Sequence, residues 1–327
     1  MNINYRELGV GLASYLPPLR RRIGRTTGGT TTARYCYAVW LRHLCLAHAS
    51  GLPTDERVVA ELGPGDSLGV GLAALLSGAQ TYYALDTVPY RDAARDLAIY
   101  DDLVRLFVAR APIPDDTEFP RVWPTLDSYA FPAHILDEDR LSTALTPRRL
   151  ATLRTALRSC GQQGGMPARG RGDEDVTLAY MAPWSDPTVV AAGTVGMIIS
   201  QAVLEYPVDL AATYRAMDRW LRPGGFMTHT IPFNAHGLAK TWNGHWLYPD
   251  PLWALIVGRR PYAPNREPHS THVKLLEGLA YTIACDRTME CNEGIERARL
   301  APRFRDLSDD DVRICGAVIQ AVKPTLV

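Results

Sequence analysis

Two glycines and two acids near the start of the chain have the spacing of a site for a nucleotide-containing ligand. A short apolar run begins at Val58 and ends at Glu61, and Gly63 and Gly65 follow directly. A second apolar run ends at Asp86. In an α/β sheet, glycines after the first strand let the backbone approach a ligand, and an acid after the second strand accepts hydrogen bonds from ribose hydroxyls. The spacing therefore predicts a cofactor site at the carboxyl ends of two neighbouring strands.

The residue at position 68 separates two classes of cofactor. A dinucleotide site has the pattern G-x-G-x-x-G, in which the third glycine allows close packing of the helix on the strand. Here the third position is Leu68. The pattern therefore speaks against a nicotinamide oxidoreductase, which we keep only as a distant alternative.

The pattern E-x-G-x-G at residues 61–65 resembles motif I of the class I S-adenosylmethionine-dependent methyltransferases, although Ser67 stands where that motif usually has a third glycine. Residues 195–205 look like the fourth strand of that family and its loop, and residues 221–230 look like its turn and fifth strand. The resemblance implies a Rossmann-like α/β sheet, mostly parallel with an antiparallel C-terminal strand, and S-adenosyl-L-methionine as cofactor. The cofactor-binding residues that it implies are Glu61, Gly63, Gly65, Asp66, Asp86, Thr87, Asp186, Ser200, Gln201 and Ala202.

Two roles stay open for Asp186. By resemblance, an acid at this place binds the adenine amino group of the cofactor. The sequence Ser185-Asp186-Pro187 also suits the start of a helix, where Asp186 would cap the first turn.

The remaining elements predict one domain over residues 1–327 with two additions. Apolar residues at helical spacing predict a helix from Ala33 to His48, within an N-terminal helical cap at residues 1–55. The next strand after Asp86 is at residues 176–181, so residues 89–173 contain an insertion, with helices at 93–109 and 146–159. We expect this insertion to form a substrate lid, and the loop from Thr26 to Thr32 to be a second mobile cover. Residues 312–323 predict the closing strand.

Charge and cysteine content limit the class of protein. The chain has 35 basic and 35 acidic side chains, so nothing draws it to nucleic acid. The longest apolar run, Val189 to Ile199, is too short to span a membrane. The six cysteines have no C-x-x-C spacing and predict reduced thiols in a cytoplasmic protein. We expect a small-molecule or glycan acceptor as partner, and a homodimer as a possible assembly.

Two histidines lie among aromatic residues after the predicted fifth strand. His236 and His245 are candidates for a general base that titrates near the ordinary histidine pKa of about 6.5, and we favour His245. Trp242, Asn243 and Trp246 are the predicted substrate-binding residues, because tryptophan faces stack on sugar rings and asparagine binds hydroxyls.

A basic segment follows at residues 258–272. Arg259 and Arg260 are predicted to bind a phosphate or carboxylate of the substrate, although a solvated basic loop remains the alternative. His269 is a further predicted substrate-binding residue. His269 and His272 lack an acidic or cysteine partner at ligand spacing, so no metal site is expected.

These two segments resemble uncharacterised bacterial methyltransferases of glycan or sugar type. The resemblance implies O-methylation of a sugar hydroxyl on a glycan, glycoside or nucleotide sugar. One alternative is a methyltransferase that acts on a natural-product phenol or amine. Another is a catalytically silent cofactor-binding partner subunit.

Overall fold

The structure is a computed structural model that describes residues 3–20, 29–161, 168–169, 176–260 and 262–325. These residues belong to two units. The larger unit comprises residues 27–201, 215–228 and 320–327, and the smaller unit comprises residues 1–26, 202–214 and 229–319. That residues 1–327 form one domain stays a prediction. The N-terminal cap at residues 1–55 also stays a prediction, and its residues belong to the smaller unit up to residue 26 and to the larger unit from residue 27.

The larger unit has a core of parallel strands. These are β1 (Val58–Leu62), β2 (Thr81–Leu85), β4 (Thr177–Met181) and β5 (Val195–Gln201), and the two-residue β3 (Ala168–Arg169) is antiparallel to β4. Strand β1 pairs with β2 on one side and with β5 on the other. Residues of β1 and β5 are nearly all buried, as expected for a parallel sheet covered on both faces.

Polar side chains begin most helices of the larger unit. Thr32, Asp92, Asp137 and Thr146 each accept a hydrogen bond from a backbone amide of the first helical turn. The helices predicted at residues 33–48, 93–109 and 146–159 are confirmed, whereas α6 was not predicted. The helices are α3 (Ala33–Ala49), α4 (Gly69–Leu76), α5 (Ala93–Val108), α6 (Glu138–Ala144) and α7 (Pro147–Ser159).

The smaller unit contains short helices and the late strands. Its helices are α1 (Tyr5–Ala13), α2 (Pro17–Arg20), α9 (Asp250–Val257), α10 (His269–Gly278) and α11 (Asp309–Arg313). It also contains β7 (Thr282–Glu290), and both units share α8 (Leu210–Trp220), β6 (Leu221–Pro232) and β8 (Ile314–Val322). Helix α1 packs closely on α9, because Gly11 has no side chain: a Cβ there would lie 2.2 Å from the carbonyl oxygen of Leu255. Within the described residues, no helix is long and apolar enough to cross a bilayer.

The strand order is β3-β4-β2-β1-β5-β6-β8-β7. The amide of Gly224 donates to the carbonyl of Lys323, and the amide of Phe233 donates to that of Cys315, so β6 and β8 run in opposite directions. The predicted mostly parallel sheet with an antiparallel closing strand is therefore confirmed. One detail differs: the expected turn at residues 222–225 lies within β6, where Gly224 has a φ of +72°.

Two arginines, the buried Arg42 and the half-buried Arg140, fix the insertion at residues 89–173 to the rest of the larger unit. Arg42 on α3 donates to Asp116 and to the carbonyl oxygens of Pro114, Val122 and Pro124. Arg140 on α6 donates to the carbonyl oxygen of Ser77, at the end of α4. The insertion therefore packs on α3 and α4, and its role as a substrate lid stays a prediction. Its residues 162–167 and 170–173 lie outside the described residues.

Replacing Arg42 should cost far more stability than replacing an exposed arginine on the same helix. Arg42→Leu leaves buried carbonyl oxygens without a donor, and we expect the free energy of unfolding to fall by about 3–5 kcal/mol. Arg34, which pairs with Glu118 with about half of its side chain exposed, is the control. Its replacement by Leu should cost less than about 1 kcal/mol in urea unfolding. Equal losses would contradict the anchoring role.

Cys291 and Cys315 form a disulfide, and the prediction that all six cysteines are reduced is wrong. The amide of Cys291 donates to the carbonyl of Arg313, so the end of β7 lies beside the start of β8. The two Cα atoms are 5.8 Å apart, within the usual disulfide range of about 4.4–6.8 Å. Spacing could not reveal the pair, because 24 residues separate the cysteines. The cytoplasmic location stays a prediction.

Thiol counting tests this pairing. Cys36, Cys45, Cys160 and Cys285 are free, so the unfolded, unreduced protein should titrate four thiols with Ellman's reagent. Prior reduction should raise the count to six, and Cys291→Ser should give five without reduction. Six thiols in the unreduced wild-type protein would contradict the disulfide.

Candidate functional site

The glycine turn after β1 has the backbone conformation that only glycine adopts readily. Gly63 and Gly65 have φ angles of +65° and +72°, a region that costs other residues roughly 1–2 kcal/mol. The amide of Gly63 donates to the carbonyl of Leu85 at 2.8 Å, which joins the turn to the end of β2. Asp66 follows the turn and is half-buried. The turn thus lies at the carboxyl ends of both strands, as predicted.

Thr30 fixes this turn and was not predicted to do so. Its hydroxyl donates to the carbonyl of Pro64 at 2.9 Å and accepts from the amide of Ser67 at 3.1 Å. The loop that was predicted to be mobile therefore includes Thr30, a buried residue that is hydrogen-bonded to the turn. Residues 26–28 of that loop lie outside the described residues.

Glu61 is buried beneath the turn. The hydroxyl of Tyr82 donates to its carboxyl group, and the amide of Gly71 on α4 also interacts with it. Burial raises the pKa of Glu61 to about 8. A Cβ on Gly71 would lie 1.9 Å from the Tyr82 ring, so α4 approaches β2 as closely as the backbone allows. Glu61 therefore links β1, β2 and α4, and its contact with a cofactor stays a prediction.

Asp86 is a buried carboxyl group at the end of β2. Its Oδ1 accepts hydrogen bonds from the amides of Thr87 at 2.7 Å and Val88 at 3.2 Å. Burial raises the pKa of Asp86, whereas the amides of Val88, Thr87 and Gly65 oppose that rise. The structure thus brings the glycine turn and the acid together.

A side-chain hydrogen bond joins the end of β5 to α3. Ser200 is fully buried, and Oε1 of Gln201 lies 3.0 Å from Nε2 of His43. Nδ1 of His43 lies 2.8 Å from the Thr228 hydroxyl, and burial lowers the pKa of this histidine to about 4. Ala202, in the smaller unit, has a φ of +56°. His43 is a second residue of this region that sequence patterns did not indicate.

Asp186 caps a short helical turn. Its carboxylate accepts from the amide of Thr188 at 2.8 Å and from the Thr188 hydroxyl at 2.6 Å. These bonds lower the pKa of the carboxyl group. The capping role is therefore confirmed, and the contact with adenine stays a prediction.

His245 lies in a short 3₁₀ helix, Gly244–Leu247, and is buried. Burial lowers its pKa to about 3, so the expected titration near 6.5 does not apply to it. Its neighbours are buried or half-buried as well. Asn243 binds the backbone of Ile295 through both ends of its amide, and the indole N–H of Trp246 donates to the carbonyl of Arg266. Trp242 packs edge-on against Trp246.

His236 is the exposed histidine of the pair. Its Nε2 lies 3.5 Å from Oε1 of Glu205, and its Nδ1 lies 3.4 Å from the hydroxyl of Tyr206. Burial of the ring lowers its pKa. Sequence reasoning assigned no role to Glu205, although an acid just after a buried strand is a signal for a site residue.

The basic segment binds other parts of the smaller unit. The guanidinium of Arg260 lies 2.7 Å from the carboxylate of Glu7, and that of Arg259 lies over the ring of Tyr15. His269 pairs with Asp286 at 2.9 Å. These contacts are structural, and binding of a substrate by the three residues stays a prediction. Among the described residues, no cluster of three or more possible metal ligands occurs.

The raised pKa of Glu61 predicts a pH-dependent stability. The folded protein keeps a proton on Glu61 up to about pH 8, whereas the unfolded chain releases it near pH 4.5, so its contribution to the free energy of unfolding falls as pH rises between these values. Glu61→Gln removes this loss. In urea unfolding, the stability of the variant relative to wild type should therefore rise by about 2–4 kcal/mol from pH 5 to pH 8.

The matched control is Glu118→Gln, at a surface carboxylate whose pKa Arg34 lowers. Its stability relative to wild type should not rise over this interval. A flat difference for Glu61→Gln would show that the buried carboxyl group does not titrate as described.

No protein-family model matches the chain, and no curated protein matches it. Solved structures that resemble it include an S-adenosylmethionine-dependent methyltransferase from Mesorhizobium loti, with 14% identity, a TM-score of 0.39, and coverage of 86% of this chain and 98% of that one. A Methanosarcina mazei methyltransferase has 12% identity, a TM-score of 0.43, and coverage of 86% and 98%. Phosphoethanolamine N-methyltransferase 2 of Haemonchus contortus has 13% identity, a TM-score of 0.41, and coverage of 90% and 58%. The order and direction of its own strands give the chain an open α/β sheet, mostly parallel and with antiparallel strands at the end that holds β8.

Proposed function

We propose that the chain is a methyltransferase that uses S-adenosyl-L-methionine. The observation that carries this proposal is the pair of left-handed glycines, Gly63 and Gly65, beside the buried carboxyl group of Asp86. Ligands of open α/β sheets bind at the carboxyl ends of the strands, and this pair lies at such an end.

The residues present fit this cofactor. The glycine turn leaves the backbone accessible to a ligand that approaches closely, and Asp86 supplies an acceptor for ribose hydroxyls. The amides of Thr87 and Val88 donate to the same oxygen, Oδ1, which orients the carboxylate. When bound, S-adenosyl-L-methionine supplies an electrophilic methyl group. Leu68 in place of a third glycine supports this cofactor over a dinucleotide.

For the acceptor, we propose a hydroxyl group, with a sugar hydroxyl as the first candidate. A hydroxyl must lose its proton during transfer, so a base is needed. His236 suits this role better than His245, because its ring is 28% exposed whereas His245 is fully buried. The buried positions of Asn243 and Trp246 weaken the sugar assignment. A phenol therefore remains an alternative acceptor.

The fold alone does not establish turnover. A silent cofactor-binding subunit would bind S-adenosylmethionine and transfer no methyl group to any acceptor. Mass spectrometry of mixtures of the protein, labelled S-adenosylmethionine and pooled glycosides or phenols separates the two functions.

Asp86→Ala should weaken cofactor binding and leave the fold intact. Loss of a charged acceptor costs about 1.5–3 kcal/mol, which corresponds to a roughly ten- to hundredfold rise in the Kd for S-adenosylhomocysteine. The control is Asp115→Ala, at a surface acid that also accepts from backbone amides. Isothermal titration calorimetry should show no change for this control and no binding of NAD to the wild type. Unchanged affinity in Asp86→Ala would place the ribose elsewhere, and binding of NAD alone would overturn the cofactor.

A further inference from the structure

Glu205 is a buried acid of the smaller unit, four residues after the end of β5. Its side chain is 3% exposed, and neither carboxyl oxygen has a hydrogen-bond partner among the described residues. The basic group nearest to it in the described part of the chain is Nε2 of His236, 3.5 Å from Oε1. Burying a carboxyl group without a hydrogen-bond donor lowers the stability of the folded protein, which suggests that Glu205 is kept there for its function.

The backbone holds Glu205 in one place. The side-chain amide of Asn265 donates to the carbonyl oxygens of Leu204 at 2.9 Å and Pro207 at 3.2 Å. The backbone amide of Asn265 donates to the carbonyl of Glu205 itself at 2.6 Å. Three hydrogen bonds from one residue thus fix the segment on both sides of the acid.

His236 is held in an unusual backbone conformation beside it. Its φ is +45°, in the left-handed region that costs a non-glycine residue about 1–3 kcal/mol. The side chain of Asn234 accepts from the amide of His236 at 2.9 Å and helps to stabilise this conformation. The result is an imidazole with Nε2 towards the buried acid and Nδ1 towards the hydroxyl of the half-buried Tyr206.

We propose that Glu205 is the positioning residue of His236 and shares a proton with it, so that His236 acts as the base of methyl transfer; this rests on the proposed function. The acceptor oxygen bonds to the methyl carbon as the carbon–sulfur bond of the donor breaks; its electron pair goes to sulfur, and S-adenosylhomocysteine leaves. The acceptor O–H bond breaks in the same step, and its proton moves to Nδ1 of His236. The carboxylate of Glu205 neutralises the imidazolium that forms. The same carboxylate, with Oε1 3.5 Å from Nε2, favours the tautomer that has its proton on Nε2 and its lone pair on Nδ1, where the acceptor proton arrives.

Charge and burial favour this shared proton. Burial raises the pKa of Glu205 and lowers that of His236, because each group loses solvation of its charged form. A buried imidazolium without a carboxylate beside it is therefore unfavourable, and the carboxylate of Glu205 stabilises the proton that His236 takes up. Among the described residues, the other titratable groups near the pair are Tyr206, Tyr262 beside Tyr206, and His245, whose pKa the charge of His236 lowers.

Nuclear magnetic resonance tests the pairing without any acceptor. The titration midpoint of the His236 imidazole is measured in wild type and in Glu205→Gln, with His236→Ala for assignment. Glutamine has the same shape and no charge, so the fold should be kept. We expect the midpoint to fall by at least one pH unit, a tenfold loss of proton affinity. The control is Glu267→Gln, an acid of the same unit that pairs with Arg303 and should leave the midpoint unchanged.

A kinetic measurement completes the test. Glu205→Gln should lower kcat at least tenfold, move the pH profile to lower pH, and leave the Kd for S-adenosylhomocysteine unchanged. An equal His236 midpoint in wild type and Glu205→Gln would overturn the pairing, whatever the activity. A protein that shows the shift but binds no S-adenosylhomocysteine would overturn the proposed function and leave the pairing intact.

Discussion

The close approach of α4 to β2 is the constraint on which the candidate cofactor site depends. Gly71 faces the ring of Tyr82, and the hydroxyl of that ring binds the buried carboxyl group of Glu61. A larger residue at position 71 would push the helix away from the strand. The turn at residues 63–68 leads directly into α4, so its conformation follows from this packing. Hydrogen bonds thus hold the glycine turn and its neighbours in place. Glu61 binds the Tyr82 hydroxyl beneath the turn, and the Thr30 hydroxyl binds the carbonyl of Pro64 within it.

The sequence was a good guide where the relevant spacing is local. Strand, glycine turn and following acid lie within thirty residues, and the structure has all three where the spacing predicts them. The helix starting at Ala33 was recognisable because apolar residues recur at helical spacing. The same reasoning failed where a partner lies far away in the chain. The side-chain amide of Asn243 binds the backbone of Ile295, so the burial of Asn243 was not evident from the sequence around it. The disulfide was not evident either, because its two cysteines are 24 residues apart.

The arginines show why composition alone is a poor guide to burial. Arg42 and Arg149 are buried although arginine is usually exposed, because each satisfies carbonyl oxygens of irregular backbone. The proline-rich segment at residues 112–132 contains no helix or strand, so its carbonyls need donors from outside regular secondary structure. A guanidinium with five N–H groups supplies them. The insertion is therefore built around polar anchors as much as around an apolar core.

The position of β8 has a consequence for how the chain is made. This strand comes late in the sequence but lies between β6 and β7, and it contributes residues to both units. Until the ribosome has released residues 314–322, the facing edges of β6 and β7 have no hydrogen-bonding partner. An exposed strand edge is a template for pairing with other chains. Nascent molecules of this protein are therefore open to aggregation between the synthesis of β6 and that of β8, and this interval is when holding chaperones can protect the exposed edges.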